Sequence, residues 1–352
     1  LYFHTFVQMN GKKRHITIHD IARELGISAS TVSRALNNNP RISAATRDMV
    51  QKLAAAHGYQ PNVMASSLRK GQGNTVGVIV PNINRSFFSN IIWGIEEKLS
   101  GAGFNLMICQ SNESLEKEKE ALQTLMHARV DGIMMSLSME TQDYGHLEKL
   151  LNRGIRMVFF DRVPDTLAVD AVVIDDHAAA FRITTALIQK GCHHPAYVGG
   201  SGRINVYRQR KSGYLDALKS SGSKVIASHI AETDMTRQGG RKAFREVIQS
   251  DPRPDAFICA GDLAAHGVLL EALENNFRIP EDIAVSGFAN EEFTPHITPP
   301  LTSVDQKGIE MGRQAATLFL EQEATSDGSR IVIEPDVLFR LSTQREINLG
   351  TE

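Results

Sequence analysis

The chain has 352 residues, of which 42% are hydrophobic, with 38 lysines and arginines against 40 aspartates and glutamates. This is enough apolar material for two or three packed domains, and no apolar run approaches the length of a membrane-spanning helix. Cys109, Cys192 and Cys259 are isolated, odd in number and without CxxC spacing, which excludes a disulfide framework and points to a reducing compartment, the cytoplasm.

Residues 1–15 open with LYFHTFVQ, which lacks a basic leader and a small-residue cleavage site. They read as an unstructured extension or a cloning scar, with Met9 as the native start. TIHDIARELG-I-SASTVSRALN follows, two short helices over Thr17–Gly26 and Ser28–Asn37. Thr17 and Asp20 form a capping box, Gly26 supplies a left-handed stop and Ser28 caps the second helix. Ile21, Ala22, Leu25, Ile27, Val32 and Leu36 fall on inward faces, leaving Ala29, Ser30, Ser33, Arg34 and Asn37 pointing outward. A third helix is expected over Ser43–His57, with Met49, Val50, Leu53 and Ala54 as its apolar stripe. A helix-turn-helix of this form places its second helix in the DNA major groove. Charge agrees: Lys12 to Gly71 carries ten basic residues against Asp20, Glu24 and Asp48, a balance of +7, while 28 basic and 37 acidic residues from Gln72 onward give -9. A basic head on an acidic body suits a nucleic-acid reader with a separate regulatory part.

Residues 60–73 form a short glycine-bounded linker, expected to be a hinge helix that orders only when held. From Thr75 the texture alternates apolar strands with amphipathic helices. TVGVIVP (75–81), FNLMICQ (104–110), GIMMSL (132–137) and RMVFFD (156–161) make one set of strands, and PAYVGG (195–200), KVIASHI (224–230), DAFICAG (255–261) and IAVSGFA (283–289) a second. The pattern predicts parallel sheets covered on both faces and divided between two α/β lobes. No phosphate loop, nucleophile elbow or zinc motif is present, so an enzyme is disfavoured, and no cofactor or metal is expected. His193-His194 reads as loop.

These features resemble the LacI/GalR family of transcription regulators. The likeness is carried by TIHDIARELGISASTVSRALN, ISAATRDMV, GYQPNVMASSL, VGVIVP, RVDGI, FFDR, ICAGD, RIPEDIAVSGFAN and LTSVDQ, and spans about Ile16 to Arg345. It implies an all-α helix-turn-helix head over 16–59, a hinge over 60–73 and a two-lobe, type I periplasmic-binding-protein-like α/β body over 74–346. Lobe 1 would take about 74–174 and 304–325, lobe 2 about 176–302 and 326–346, with crossings near Asp175, near Thr302 and around Thr325–Ile331. The resemblance further implies a homodimer, a pseudo-palindromic double-stranded operator and a small sugar or sugar-like effector between the lobes. Heptads of a tetramer tail are lacking in REINLGTE.

Carried over by position, Thr17, Asn37, Ser43 and Thr46 would hold phosphates. Ala29, Ser30 and Arg34 would read bases, Arg34 through guanine O6 and N7. Ser28, Thr31, Ser33, Arg41, Tyr59 and Asn62 complete the DNA-facing set, and Leu68 would wedge into the minor groove. In the cleft, Phe87 and Phe88 would form an aromatic platform, with Asp161, Arg162, Asp175, Arg210, Asp262 and Asn290 at strand ends binding hydroxyls. Arg203, Arg208, Arg210 and Arg162 cluster in the sequence pattern, which leaves a sugar acid or sugar phosphate open beside a neutral sugar. A nucleobase effector, or a solute-binding protein without a DNA role, are the alternatives.

Overall fold

The computed structural model describes residues 16–59, 73–321 and 328–345. The chain divides into two compact units between Gln72 and Gly73. The expected extension, and the hinge with Asn62 and Leu68, lie outside the described residues.

The first unit holds α1 (Ile18–Leu25), α2 (Ala29–Leu36) and α3 (Ala44–Ala56). Its helix ends are set locally. Thr17 accepts from the Asp20 amide while the Asp20 carboxylate accepts from the Thr17 amide, and Gly26 closes α1 at φ 65°. Ser28 and Ser43 cap α2 and α3 by accepting from the amides of Thr31 and Thr46. Ile21, Ala22, Val32, Ala35, Val50 and Ala54 meet in the core, with Leu25, Ile27, Leu36 and Leu53 packed at its edge. Met49 is not part of the stripe: it is 46% exposed. One residue ahead of Val50, it lies about 100° around the helix from the buried face.

In the second unit, lobe 1 begins with β1 (Thr75–Val80), α4 (Ser86–Gly101), β2 (Asn105–Gln110), α5 (Leu115–Ala128), β3 (Gly132–Met135), α6 (Gly145–Leu151), β4 (Met157–Phe160) and β5 (Asp170–Ile174). The chain crosses to α7 (Asp176–Gln189), β6 (Pro195–Gly199), α8 (Asn205–Ser220), β7 (Ile230–Glu232), α9 (Arg237–Val247), β8 (Ala256–Cys259), α10 (Asp262–Glu274) and β9 (Ala284–Ser286). It then runs through β10 (Ser303–Asp305), α11 (Gly308–Leu320), β11 (Arg330–Ile333) and β12 (Asp336–Leu338). The lobe 1 sheet has the order β11-β5-β4-β3-β1-β2 and the lobe 2 sheet β7-β6-β8-β9, all parallel. β10 and β12 pair antiparallel, in register Val304 to Val337, and form two strands of the connection between lobes.

Two expectations need correction, and one strand is added. Arg330–Ile333 belongs to lobe 1, because it pairs with β5 at the sheet edge; the third crossing comes after Ile333, not at 325–331. The strand read at 224–230 shrinks to β7, preceded by a 3-10 turn over Ala227–His229, and Val225 stands 52% exposed. That run had apolar residues but no second buried face. β5, a fully buried DAVVI, is a further strand beyond those the sequence pattern indicated.

Helix α4 packs on α11 with backbones in close approach. A Cβ built on Gly94 would lie 2.1 Å from the Ile309 carbonyl oxygen, and one on Gly312 2.1 Å from that of Ile91. No side chain fits there without parting the helices. Gly94→Val is therefore expected to destabilise the body by about 3 kcal/mol or more, from overpacking. Urea unfolding followed by fluorescence measures it; a loss below ~1 kcal/mol would mean the helices separate freely.

Candidate functional site

On the head, α2 presents small polar groups already tied into local networks. The Ser28 hydroxyl shares hydrogen bonds with those of Ser30 (2.8 Å) and Thr31 (2.9 Å), and the Asn37 amide donates to the Ser33 carbonyl (2.8 Å). The Ser43 and Thr46 hydroxyls are joined at 2.8 Å, and the Arg41 amide donates to Asn39 Oδ1. Tyr59 packs at the core edge, and so does Ala29, which faces the core more than the outward reading had it. Arg34 is exposed, on the same helix as these hydroxyls. The surface offers one long fork of donors among short polar groups, a suitable form for a groove-reading helix.

Between the lobes lies a cavity of about 310 Å³, at the carboxyl ends of both parallel sheets. Lobe 1 contributes Phe87 and Phe88 at the start of α4, with ring centroids 5.2 Å apart, and Asp161 and Arg162 after β4. Lobe 2 contributes Tyr207 and Arg210 from α8, Asp234 before α9, Asp262 after β8 and Phe288 after β9, while Gln306 comes from the β10 connection.

Arg162 is 7% exposed and crosses the cleft. Its Nη1 donates to Glu113 Oε2 at 2.6 Å and to the Leu137 carbonyl, and its Nη2 donates to the Tyr207 hydroxyl at 3.3 Å. Its Nε is buried with no hydrogen-bond acceptor among the described residues. Arg210 donates from Nε to Asp176 at 2.7 Å and from Nη1 to the Ala260 carbonyl at 2.7 Å, with its guanidinium 4.2 Å over the Phe288 ring. Such bonds fix the planes of both guanidinium groups. Burial pushes the Asp161 carboxyl above its usual range, against the pull of Arg162 and Arg210. Asp161 takes φ 59°, and Asn205 of lobe 2 grips the backbone around it, donating to the Asp161 carbonyl and accepting from the Val163 amide.

Asp262 lines the cavity, yet both its oxygens are engaged: one accepts from Ser303 Oγ at 2.6 Å, the other from the Glu291 amide at 2.8 Å. Burial raises its carboxyl to about 8, outweighing these two hydrogen bonds. Asp175 and Asn290 are corrected. Asp175 is exposed and caps α7 by accepting from the Ala178 amide; the buried partner of Arg210 is its neighbour Asp176. Asn290 does not line the cavity, but accepts from Arg340 Nη2 at 2.7 Å.

Residues 73–340 match the model described as "Periplasmic binding proteins and sugar binding domain of LacI family", and 17–62 match "Bacterial regulatory proteins, lacI family". The chain belongs to the LacI family. Catabolite control protein A of Priestia megaterium is 32% identical over 333 residues, 94% of this chain and 100% of that protein. Among solved structures, the complex of the transcriptional regulator CelR with cellobiose aligns at 28% identity and TM-score 0.71, covering 93% of this chain and 99% of that one. The lac repressor dimer bound to operator and the anti-inducer ONPF shares the fold, with TM-score 0.82 at 23% identity over 94% and 99% of the two chains. This chain is thus a DNA-binding transcriptional repressor with a type I periplasmic-binding-protein-like body.

Of the expected cleft residues in this LacI-family body, Phe87, Phe88, Asp161, Arg162, Arg210 and Asp262 converge. Glu113, Asp234, Glu291, Gln306 and Tyr207 line the same cavity and were not anticipated. Tyr207 had a signal, one helical turn before Arg210, and Gln306 lay inside the quoted LTSVDQ. Nothing local marks Glu113.

Two outcomes follow from this geometry. Arg34→Ala should lose about 1–3 kcal/mol of operator affinity, concentrated at one base pair per half-site. Competition titration on single-base operator variants reads it, and equal losses on all variants would make Arg34 a phosphate contact. For Asp262, the folded carboxyl holds its proton from about pH 4 to about 8, where the unfolded one has lost it. The contribution to stability is therefore complete in acid and is lost as pH rises through about 8. Wild type should lose stability relative to Asp262→Asn across that window, measured by urea unfolding; a pH-independent difference would show the carboxyl ionised in the fold.

Proposed function

We propose that this repressor controls carbohydrate-utilisation genes in the cytoplasm, binding a pseudo-palindromic operator as a homodimer, and that a neutral, sugar-like effector in the cleft sets its operator affinity. The observation that carries the reading is the chemistry of the cavity wall. Aromatic faces from Phe87, Phe88, Tyr207 and Phe288 stand beside buried charged groups with fixed orientation. Flat apolar surface next to bidentate donors and acceptors matches a polyol ring, which has apolar C–H faces and equatorial hydroxyls.

The charge balance favours a neutral ligand over an acid or phosphate. Arg85, Arg162 and Arg210 line the cavity against Glu113, Asp161, Asp234 and Glu291, with Asp262 protonated beside them. Arg203 and Arg208, which kept an anionic effector open, do not line it; they bridge the lobes to Gln142 and Asp165, each at 2.7 Å. Support for the dimer comes from apolar surface on lobe 1: Trp93 on α4 is 67% exposed and Ile108 on edge strand β2 is 47% exposed.

Lobe closure on a ligand gives the two states an effector needs, and the coupling is reciprocal: whatever factor the sugar applies to operator affinity, operator applies to sugar affinity. A thermal-shift screen of neutral sugars, sugar acids, sugar phosphates and nucleosides tests the reading. A neutral sugar should raise Tm and shift the operator titration, and Asp234→Asn should weaken its binding by about tenfold, the loss of one charge-assisted hydrogen bond. A response confined to anionic sugars or to nucleosides would overturn the assignment.

A further inference from the structure

Helix α4 begins without a cap of its own. Arg85 stands at its N-cap position and offers no side-chain hydrogen bond, and Ser86 is the first helical residue. The acceptor comes from the other lobe. Glu291 Oε2 accepts from the Ser86 amide at 2.9 Å and from the Ser86 hydroxyl, and the Glu292 amide donates back to Ser86 Oγ at 3.2 Å. We propose that this contact is a latch, which holds the lobes closed in the effector-free repressor and so sets its operator affinity before any effector binds. The latch does not depend on which effector the cleft takes.

A carboxylate at a helix N-terminus satisfies an orphan amide and meets the positive end of the helix dipole. Opening the lobes strips α4 of that partner, so the helix itself favours closure. The loop that carries Glu291 is held in a conformation that few residues adopt. Ala289 takes φ 113° and Asn290 φ 50°, and alanine persists at such an angle only where its surroundings enforce it. Three consecutive amides supply the constraint. Ala289 donates to the Val304 carbonyl at 2.9 Å, Asn290 to Ser303 Oγ at 2.9 Å and Glu291 to Asp262 Oδ2 at 2.8 Å. Ser303 and Val304 belong to β10, so the loop is anchored to the connection between the lobes. On the other side, the residues that follow Ser86 are Phe87 and Phe88, which line the effector cavity as Glu291 does. A ligand between those walls meets both halves of the latch, and its affinity for the latched and unlatched states differs accordingly.

Proline is the discriminating substitution. Ser86→Pro removes the amide donor and the hydroxyl together, yet proline suits the first helical position, and Arg85, extended at φ -103° and ψ 128°, accepts a following proline. Val163 provides a reporter remote from the latch: its amide, in lobe 1, donates to Asn205 Oδ1 of lobe 2 at 3.3 Å. Hydrogen exchange of the effector-free, full-length repressor reads that contact. In Ser86→Pro and in Glu291→Ala the Val163 amide should exchange at least tenfold faster than in wild type. The Ile133 amide, bonded within lobe 1 to the Arg156 carbonyl, should be unchanged, and Ser86→Thr should behave as wild type. Operator affinity is measured on a duplex that wild type selects from a pseudo-palindromic library. Ser86→Pro and Glu291→Ala should each shift it fivefold or more and by the same factor, and the double variant no further, because both break one contact. Val163 exchange less than tenfold faster in both variants overturns the latch. Affinity shifts that are smaller, unequal or additive overturn it as well.

Discussion

A guanidinium carries five N–H donors and cannot be neutralised, so burying one obliges the surrounding chain to supply acceptors in fixed directions. Arg162 and Arg210 are both buried in the cleft, and their acceptors come from elements far apart in the sequence. Arg162 gathers Glu113, the carbonyl of Leu137 after β3 and Tyr207 of the opposite lobe. Arg210 gathers Asp176 at the start of α7, the carbonyl of Ala260 after β8 and the face of Phe288. The ends of the strands are thus tied to two cations, and the cavity is what remains between them. A buried pair of this kind is weak evidence of stability, since hydrophobic replacement is often neutral, but it is strong evidence of a site held in one geometry.

The topology delivers those groups to one place. Parallel sheets present all their carboxyl ends at one edge, and the chain crosses between lobes after β5, along β10 and after β11. Each crossing is brief, yet one continuous cluster of buried apolar side chains runs from lobe 1 (Val78, Phe88, Ile174) into lobe 2 (Tyr207, Ala260, Phe288). Toward the solvent the lobes are joined by polar contacts: Arg208 with Asp165, Arg203 with Gln142, Asn205 with the backbone around Asp161, and Glu291 with Ser86. Hydrogen bonds and partly exposed ion pairs exchange for water at small net cost. These polar links can break and re-form as the lobes move, which is what a ligand-biased equilibrium needs.

The head rests on different physics. Its helices are short, and their ends are fixed by the capping groups of Thr17, Ser28 and Ser43 and by the left-handed Gly26. A six-residue apolar core then sets the angle between α1 and α2. Caps and core occupy Ala29 and the short polar groups of α2 and leave Arg34 exposed on the same helix for recognition.

Because its rules are local, the head was readable from sequence. A capping box, a glycine stop and 3.6-residue periodicity act within one or two turns, and Thr17, Asp20, Gly26, Ser28 and Ser43 each do in the structure what their spacing implied. Most strands of the body were legible for the same reason, as continuous apolar runs buried on both faces. Resemblance placed Phe87, Phe88, Asp161, Arg162, Arg210 and Asp262 at the cleft, and the fold brings all six together. Sequence could not tell Asp175 from Asp176: the two are adjacent carboxylates at a strand end, and only the direction of the first turn of α7 decides which caps the helix and which faces Arg210. Nor could it find Glu113, whose role depends on a guanidinium 49 residues away, or show that Arg203 and Arg208 are occupied elsewhere. Local order follows from backbone geometry and is written in consecutive residues; the pairing of buried charges follows from desolvation, and its partners are chosen only when the lobes meet.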